Sequence, residues 1–438
     1  MAKSLAKRRA KMPPRQCIKK KTQIAKISKR ICIPISREEY EDIFDDKQGF
    51  REMLTGFIEK YPEIFPPDMR HGYQLYGLRK QSVKMPDVKL RRICLNEVDN
   101  QGRLQVYTIA PSFVLPYMTG YTDDVEKALF LRRYGVPFSG LSYVFGRNDM
   151  YWERLASLFG HNDIVGTSIK DPKLLPKDIL ADEKHTRWNG QKAYVATTVG
   201  RDCVLGASIT LAADEQELTV AYSQFKQEAQ ALDVNYHPQT VNTDGWSATQ
   251  LAWQALFPSI IIIQCFLHAF ISIRSRCKRL KDLFPIISQQ VWDIYHADNI
   301  SKFKQQVDDL RTWGQENLTG YPLKSVLKLC AKSHLFMLTF EYPDAYRTSN
   351  MLDRHMEPMD RCLYNARYFH GHLMTAEYQI RAWALFHNFQ PYCPRAKISE
   401  KYISPFHKLN GFVYHDNWLQ NLLVASSLGG RYATNTKR

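Results

Sequence analysis

The sequence predicts an α/β protein built on a βββαβαβα unit that begins at Lys177, is interrupted by a mostly helical insertion, and follows smaller β-rich and helical modules. Three observations predict it. Ile179–Thr186, Lys192–Val199 and Val204–Leu211 are short β-rich runs, the last two joined by Gly200-Arg201-Asp202 as a hairpin turn. Gln216–Leu232 follows as an amphipathic helix, leading to a strand at Thr240–Thr243 that ends on Asp244, then to a helix at Ser247–Leu256 that Pro258 stops. Finally, Ser259–Cys265 holds four consecutive isoleucines, which argue for a β-branched strand buried on both faces of a mostly parallel sheet. The helix after it is basic, with Arg274, Arg276, Lys278 and Arg279.

A chain of 438 residues with 44% hydrophobic content has enough material for two or three domains with sizeable cores. Its 60 Lys and Arg against 44 Asp and Glu leave a net charge of +16, which attracts polyanions and makes nucleic acid the leading partner class. The nine cysteines are scattered without a C-x-x-C pair, so neither a disulfide framework nor a ribbon-type zinc site is indicated. No membrane partner is expected, because the longest nearly apolar run, Ile260 to Ile273, is shorter than the roughly 20 residues of a membrane span. No signal peptide is visible, so the expected location is the cytoplasm and nucleoid of a bacterium or the nucleus of a eukaryote.

Residues 1–35 read as a basic, disordered arm, with twelve Lys or Arg among the first thirty residues and no acid. Lys7, Arg8, Arg9, Lys19, Lys20 and Lys21 are the candidate phosphate contacts there, against the plainer alternative of a solvated tail. Residues 36–121 form an α+β module that opens on a capping box, Ser36 with Glu39, and continues with strands at Arg92–Val98 and Val106–Ala110. Residues 122–176 hold three short helices in a helix-turn-helix-like series, closed by a linker from 161. Such a unit would lay its last helix, with Trp152 and Arg154, in the major groove of DNA, although any three-helix packing unit shares this periodicity. The core then occupies 177–280, a helical insertion 281–345, the last core helices 346–395, and a C-terminal tail 396–438.

Three antiparallel strands followed by helix, strand, helix, strand and helix resemble the order of the ribonuclease H-like fold. That topology asks for a carboxylate in its first strand, and Asp182 stands there. In that fold the first strand lies beside the fourth, bringing Asp182 within reach of Asp244. Asp244 equally suits an Asp-Gly turn that caps the next helix. Glu183 points to the opposite sheet face if the strand is regular. Hard divalent cations need such oxygen ligands, and two ions roughly 4 Å apart clamp both oxygens of an in-line displacement at phosphorus. Cys265 and His268 make a C-x-x-H step without the second pair a zinc site requires, so a structural place near the site is expected for them.

With the Asp182 strand, the Asp244-Gly245 step, Cys265-x-x-His268, the helical insertion and the Ser349-Asn350 helix, the chain from about Lys177 to Tyr392 resembles the DDE transposases, particularly the Mutator-like group and related bacterial insertion-sequence enzymes. The resemblance implies Mg²⁺- or Mn²⁺-dependent cleavage at the ends of a DNA element and joining of the freed 3′-hydroxyl to target DNA, with two ions and a homo-oligomer on double-stranded DNA. It assigns Asp182, Asp244 and Asp353 as catalytic metal ligands, with Cys265, His268 and Asn350 structural near the site. The third acid departs from the family, where Glu is usual; Glu357, one turn later, is the alternative, although Pro358 disturbs the helix beside it. Two rival expectations stand: a transposase-derived DNA-binding protein without turnover, and a nuclease of the same fold that cuts without strand transfer.

Overall fold

The computed structural model describes residues 29–99 and 101–431. Two mixed sheets organise them. The first begins with β1 (Arg30–Ile33), continues past helices α1 (Arg37–Phe44) and α2 (Lys47–Lys60), and is completed by β2 (Tyr73–Leu78), β3 (Arg91–Val98) and β4 (Leu104–Pro111). Its order is β1-β4-β3-β2, with β1 parallel to β4. The expected capping box is present: Ser36 Oγ accepts the Glu39 N–H while Glu39 accepts the Ser36 N–H. The expected disordered arm of 1–35 is corrected at its end. Ile31, Cys32 and Ile33 are buried, so this apolar run is worth more in the sheet than in water. Lys7, Arg8, Arg9, Lys19, Lys20 and Lys21 lie outside the described residues.

Helices α3 (Glu126–Arg133), α4 (Phe138–Phe145), α5 (Asp149–Phe159) and α6 (Ile164–Ser168) come next. All five residues of α6 are buried, which corrects the expected linker. Its first N–H groups have no intrahelical acceptor, and Glu228 Oε2 takes those of Ile164 and Val165 at 2.5 and 3.1 Å. The part of this stretch before its two prolines is thereby held in the interior.

The second sheet contains β5 (Asp178–Trp188), β6 (Gln191–Gly200), β7 (Cys203–Thr210), β8 (Thr240–Thr243) and β9 (Ile261–Gln264), with α7 (Glu215–Leu232) and α8 (Ser247–Leu256) between its strands. Its order is β7-β6-β5-β8-β9; β5 to β7 pair antiparallel, and β8 runs parallel to both β5 and β9. Arg201 and Asp202 take φ of 50° and 70°, the left-handed pair a two-residue hairpin demands. Both faces of the sheet are covered. Ile179, Ala181, Ala196, Cys203 and Leu205 join α7 and α8 in one core, whereas their neighbours Leu180, Val195 and Val204 join α15 (below) in another.

After β9, helix α9 (Phe266–Cys277) leads into α10 (Leu283–Tyr295), α11 (Ile300–Asn317), α12 (Gly320–Ala331) and α13 (Ser333–Glu341), an insertion with a core of its own. The chain returns through α14 (Asn350–Asn365) and α15 (Leu373–Phe389), then ends in α16 (Pro405–Asn410) and α17 (Trp418–Ala425). Every residue of α17 is buried, so the expected tail of 396–438 is structural up to the last described residue. One apolar core runs from Ile31 through α3 to α5 and α15 to Leu428, joining what the sequence divides into separate modules. Among the described residues, no helix is long and apolar enough to cross a membrane.

Candidate metal centre

Register decides where the first two acids meet. Asp178, Ile179 and Leu180 of β5 pair with Thr240, Val241 and Asn242 of β8, so the same offset carried two residues further sets Asp182, within β5, beside Asp244, just past β8. Neighbouring strands are about 4.8 Å apart, which brings the two carboxylates onto one sheet edge. Asp244 also closes the turn after β8: its Oδ1 accepts the Trp246 N–H at 2.8 Å, and Gly245 takes φ +95° against Gln264. The turn half of the Asp-Gly reading is thus present, while the residue before α8 is Trp246, with no side-chain cap.

The third acid arrives from α14. Ser349, the residue before that helix, is 2% exposed, and its Oγ donates to Asp353 Oδ2 at 3.1 Å. Its N–H donates to Cys265 Sγ at 3.2 Å, while its Oγ lies 3.4 Å from His268 Nδ1. Ligand atoms of Asp182, His268 and Asp353 all come within 4.8 Å of one another. His268, expected as a structural neighbour, thus belongs to the compact group itself. Asp244 falls outside that group, but its charge reaches Asp182.

The electrostatics follow from burial and crowding. Burial, then the Asp244 carboxylate, pushes the Asp182 carboxyl up to about 6. The hydrogen bond to Cys265 raises His268 to about 9, against the effect of its burial. Burial opposes ionisation of Cys265, yet the His268 and Ser349 hydrogen bonds outweigh it and hold the thiol below its ordinary value. A carboxyl crowded by a second carboxylate is the arrangement that a bound divalent cation relieves, and oxygens from Asp182 and Asp353 suit a hard ion. These residues fit a divalent cation.

Glu183 lies on the other sheet face, as strand alternation predicts. It is buried, accepting Tyr222 Oη–H at 2.7 Å and Thr249 Oγ1–H at 2.9 Å, so it ties α7 and α8 to the strand that carries Asp182. Glu357 is exposed and paired with Arg361 at 2.6 Å, away from the compact group. Asn350 is exposed, and Ser349 performs the ordering expected of it. Trp152 corrects the groove-reading expectation: it is 1% exposed, and its indole N–H donates to the Gly146 carbonyl at 2.9 Å, whereas Arg154 is exposed. Sequence reasoning missed Ser349 as a site residue; its spacing of four from Asp353 was the available signal.

No known protein family matches the chain, and no curated protein matches it.

Proposed function

We propose that the chain is a DDE-type transposase with a ribonuclease H-like core, cutting double-stranded DNA at the ends of a mobile element and joining them to a target. The observation that carries this reading is the convergence of Asp182 and Asp353 beside His268, with Asp244 in register on the neighbouring strand. Mg²⁺ or Mn²⁺ bound there, as two ions, would supply the charge neutralisation and oxygen activation that displacement at phosphorus requires. Asp182, Asp244 and Asp353 are the residues that would hold them.

The chain's own part is to keep these acids apart from bulk solvent and fixed in place. Ser349 orients Asp353, the Asp244-Gly245 turn fixes the second acid, and Glu183 anchors α8 behind the first. Strand transfer needs two element ends held together, which a homo-oligomer on DNA provides. In vitro cleavage and joining of duplexes carrying the element's terminal sequences tests the proposal. Wild type should act with Mg²⁺ or Mn²⁺, and Asp182→Asn or Asp244→Asn should lose activity while still binding DNA. Unchanged activity in either variant would remove the site.

A further inference from the structure

Helix α9 starts at the metal centre and runs away from it. Phe266, Ile273 and Cys277 are buried and fix one side of the helix to the insertion's core. The opposite side starts with His268. Ser272, Ser275 and Arg276 follow it at intervals of four, seven and eight residues, the positions that a period of 3.6 returns to one face. Ser272, Ser275 and Arg276 are exposed, as are Arg274 and Lys278 on the flank. From Phe266 to Lys281 there is no acidic residue. Among the described residues, Arg274, Arg276, Lys278, Arg279 and Lys281 form no ion pair, although acids pair with Lys or Arg elsewhere on the surface. The Arg276 guanidinium rests over the Tyr321 ring, 5.5 Å from its centroid, which steadies it.

We propose that this face of α9 is the track along which duplex DNA leaves the metal centre, its phosphates lying on Ser272 and Ser275 between Arg276 and the flanking Arg274 and Lys278. Naming DNA as the occupant rests on the transposase reading; the chemistry recognised is a row of phosphates. The dimensions agree. His268 to Lys278 spans about 15 Å at 1.5 Å per residue, and each phosphate of a strand advances about 3.4 Å along the duplex axis, so the face spans about four base-pair steps. Unpaired cations beside small side chains suit a phosphate backbone: neither serine blocks approach, and the Ser272 hydroxyl donates outward while that of Ser275 is bonded to the Ser272 carbonyl at 2.8 Å.

The test is the salt dependence of duplex binding by the full chain in EDTA, where no cleavage is needed. The triple variant Arg274→Ala, Arg276→Ala, Lys278→Ala should reduce the slope of log affinity against log salt by about two to three, at roughly 0.9 per phosphate contact. Arg274→Lys with Arg276→Lys should keep the wild-type slope, separating charge from loss of side chain or fold. Arg395→Ala, Lys397→Ala, Lys401→Ala removes the same charge from an exposed segment elsewhere and should leave the slope unchanged. A wild-type slope in the α9 triple variant, or an equal drop in the matched control, overturns the track. Because binding is read without metal, a flattened slope in a protein that never cleaves DNA would sink the transposase reading and leave the track standing. Cleavage with an unaltered slope would do the reverse.

Discussion

Ser349 touches Cys265, His268 and Asp353 from one position: the first two contacts cross more than eighty residues of sequence, and the third spans one helical turn. Asp244 was singled out because strand ends in an α/β sheet are where acids gather, and Asp182 because the strand order resembles a fold that asks for a carboxylate in its first strand. Ser349 gave only its spacing of four from Asp353, because its contacts with Cys265 and His268 lie in a tertiary meeting of α9 and α14 that no local pattern encodes. Asp202 is a second case. In the hairpin turn it reads as an ordinary turn residue, but its carboxylate accepts from Lys408 and Tyr392, both at 3.1 Å, and lies 3.6 Å from His355. Burial alone would raise its pKa; the nearby His355 ring and the Lys408 hydrogen bond outweigh that and hold it below the usual carboxylate range. A depressed carboxylate stabilises the fold above its unfolded value of about 4 and loses that contribution as pH falls below it. Asp202→Asn should therefore cost about 3 kcal/mol at neutral pH. In urea denaturation, the gap between variant and wild type should close as pH drops below about 4; a constant gap would mean that the charge is not the source.

At the scale of elements, the strands and helices around Asp182 could be read closely from the sequence, since alternation and helical periodicity are local. Thr240–Thr243 and Ser247–Leu256 have the expected bounds, and the isoleucine strand is shorter than expected, Ile261–Gln264. Which face of a helix meets a partner is not local, and α5 shows the consequence. Its aromatic face looks available to DNA in sequence, yet it packs against α15 so closely that a Cβ on Gly160 would stand 1.9 Å from the Tyr378 carbonyl oxygen. Trp152 is buried against Phe145 of α4, ring centroids 6.2 Å apart. Its replacement by Ala should cost about 3 to 5 kcal/mol in thermal or chemical denaturation, while the folded fraction binds DNA as wild type does. A selective loss of DNA affinity without loss of stability would restore Trp152 to the groove.

Across the whole molecule, the sequence suggests a string of modules, and the structure ties their ends together. Ser427 exchanges hydrogen bonds with the backbone of Cys32, and Lys170 donates to the Ala425 carbonyl at 2.5 Å. Such closure is invisible to a reading that moves along the chain, because Trp418 to Ala425 is too short an apolar run to announce its partner. Deleting residues 396–438 should abolish cooperative unfolding; a truncated chain that melts as sharply as wild type would show the C-terminal segment to be dispensable. A separate long-range return brings α14 back to the sheet and sets Asp353 beside Asp182 and His268. The most direct test compares metal-dependent cleavage of terminal DNA by Asp353→Asn and Glu357→Gln. The Asp353 variant should fall roughly a hundredfold or more and the Glu357 variant should keep wild-type activity. The opposite pattern would contradict the assembly of this metal centre.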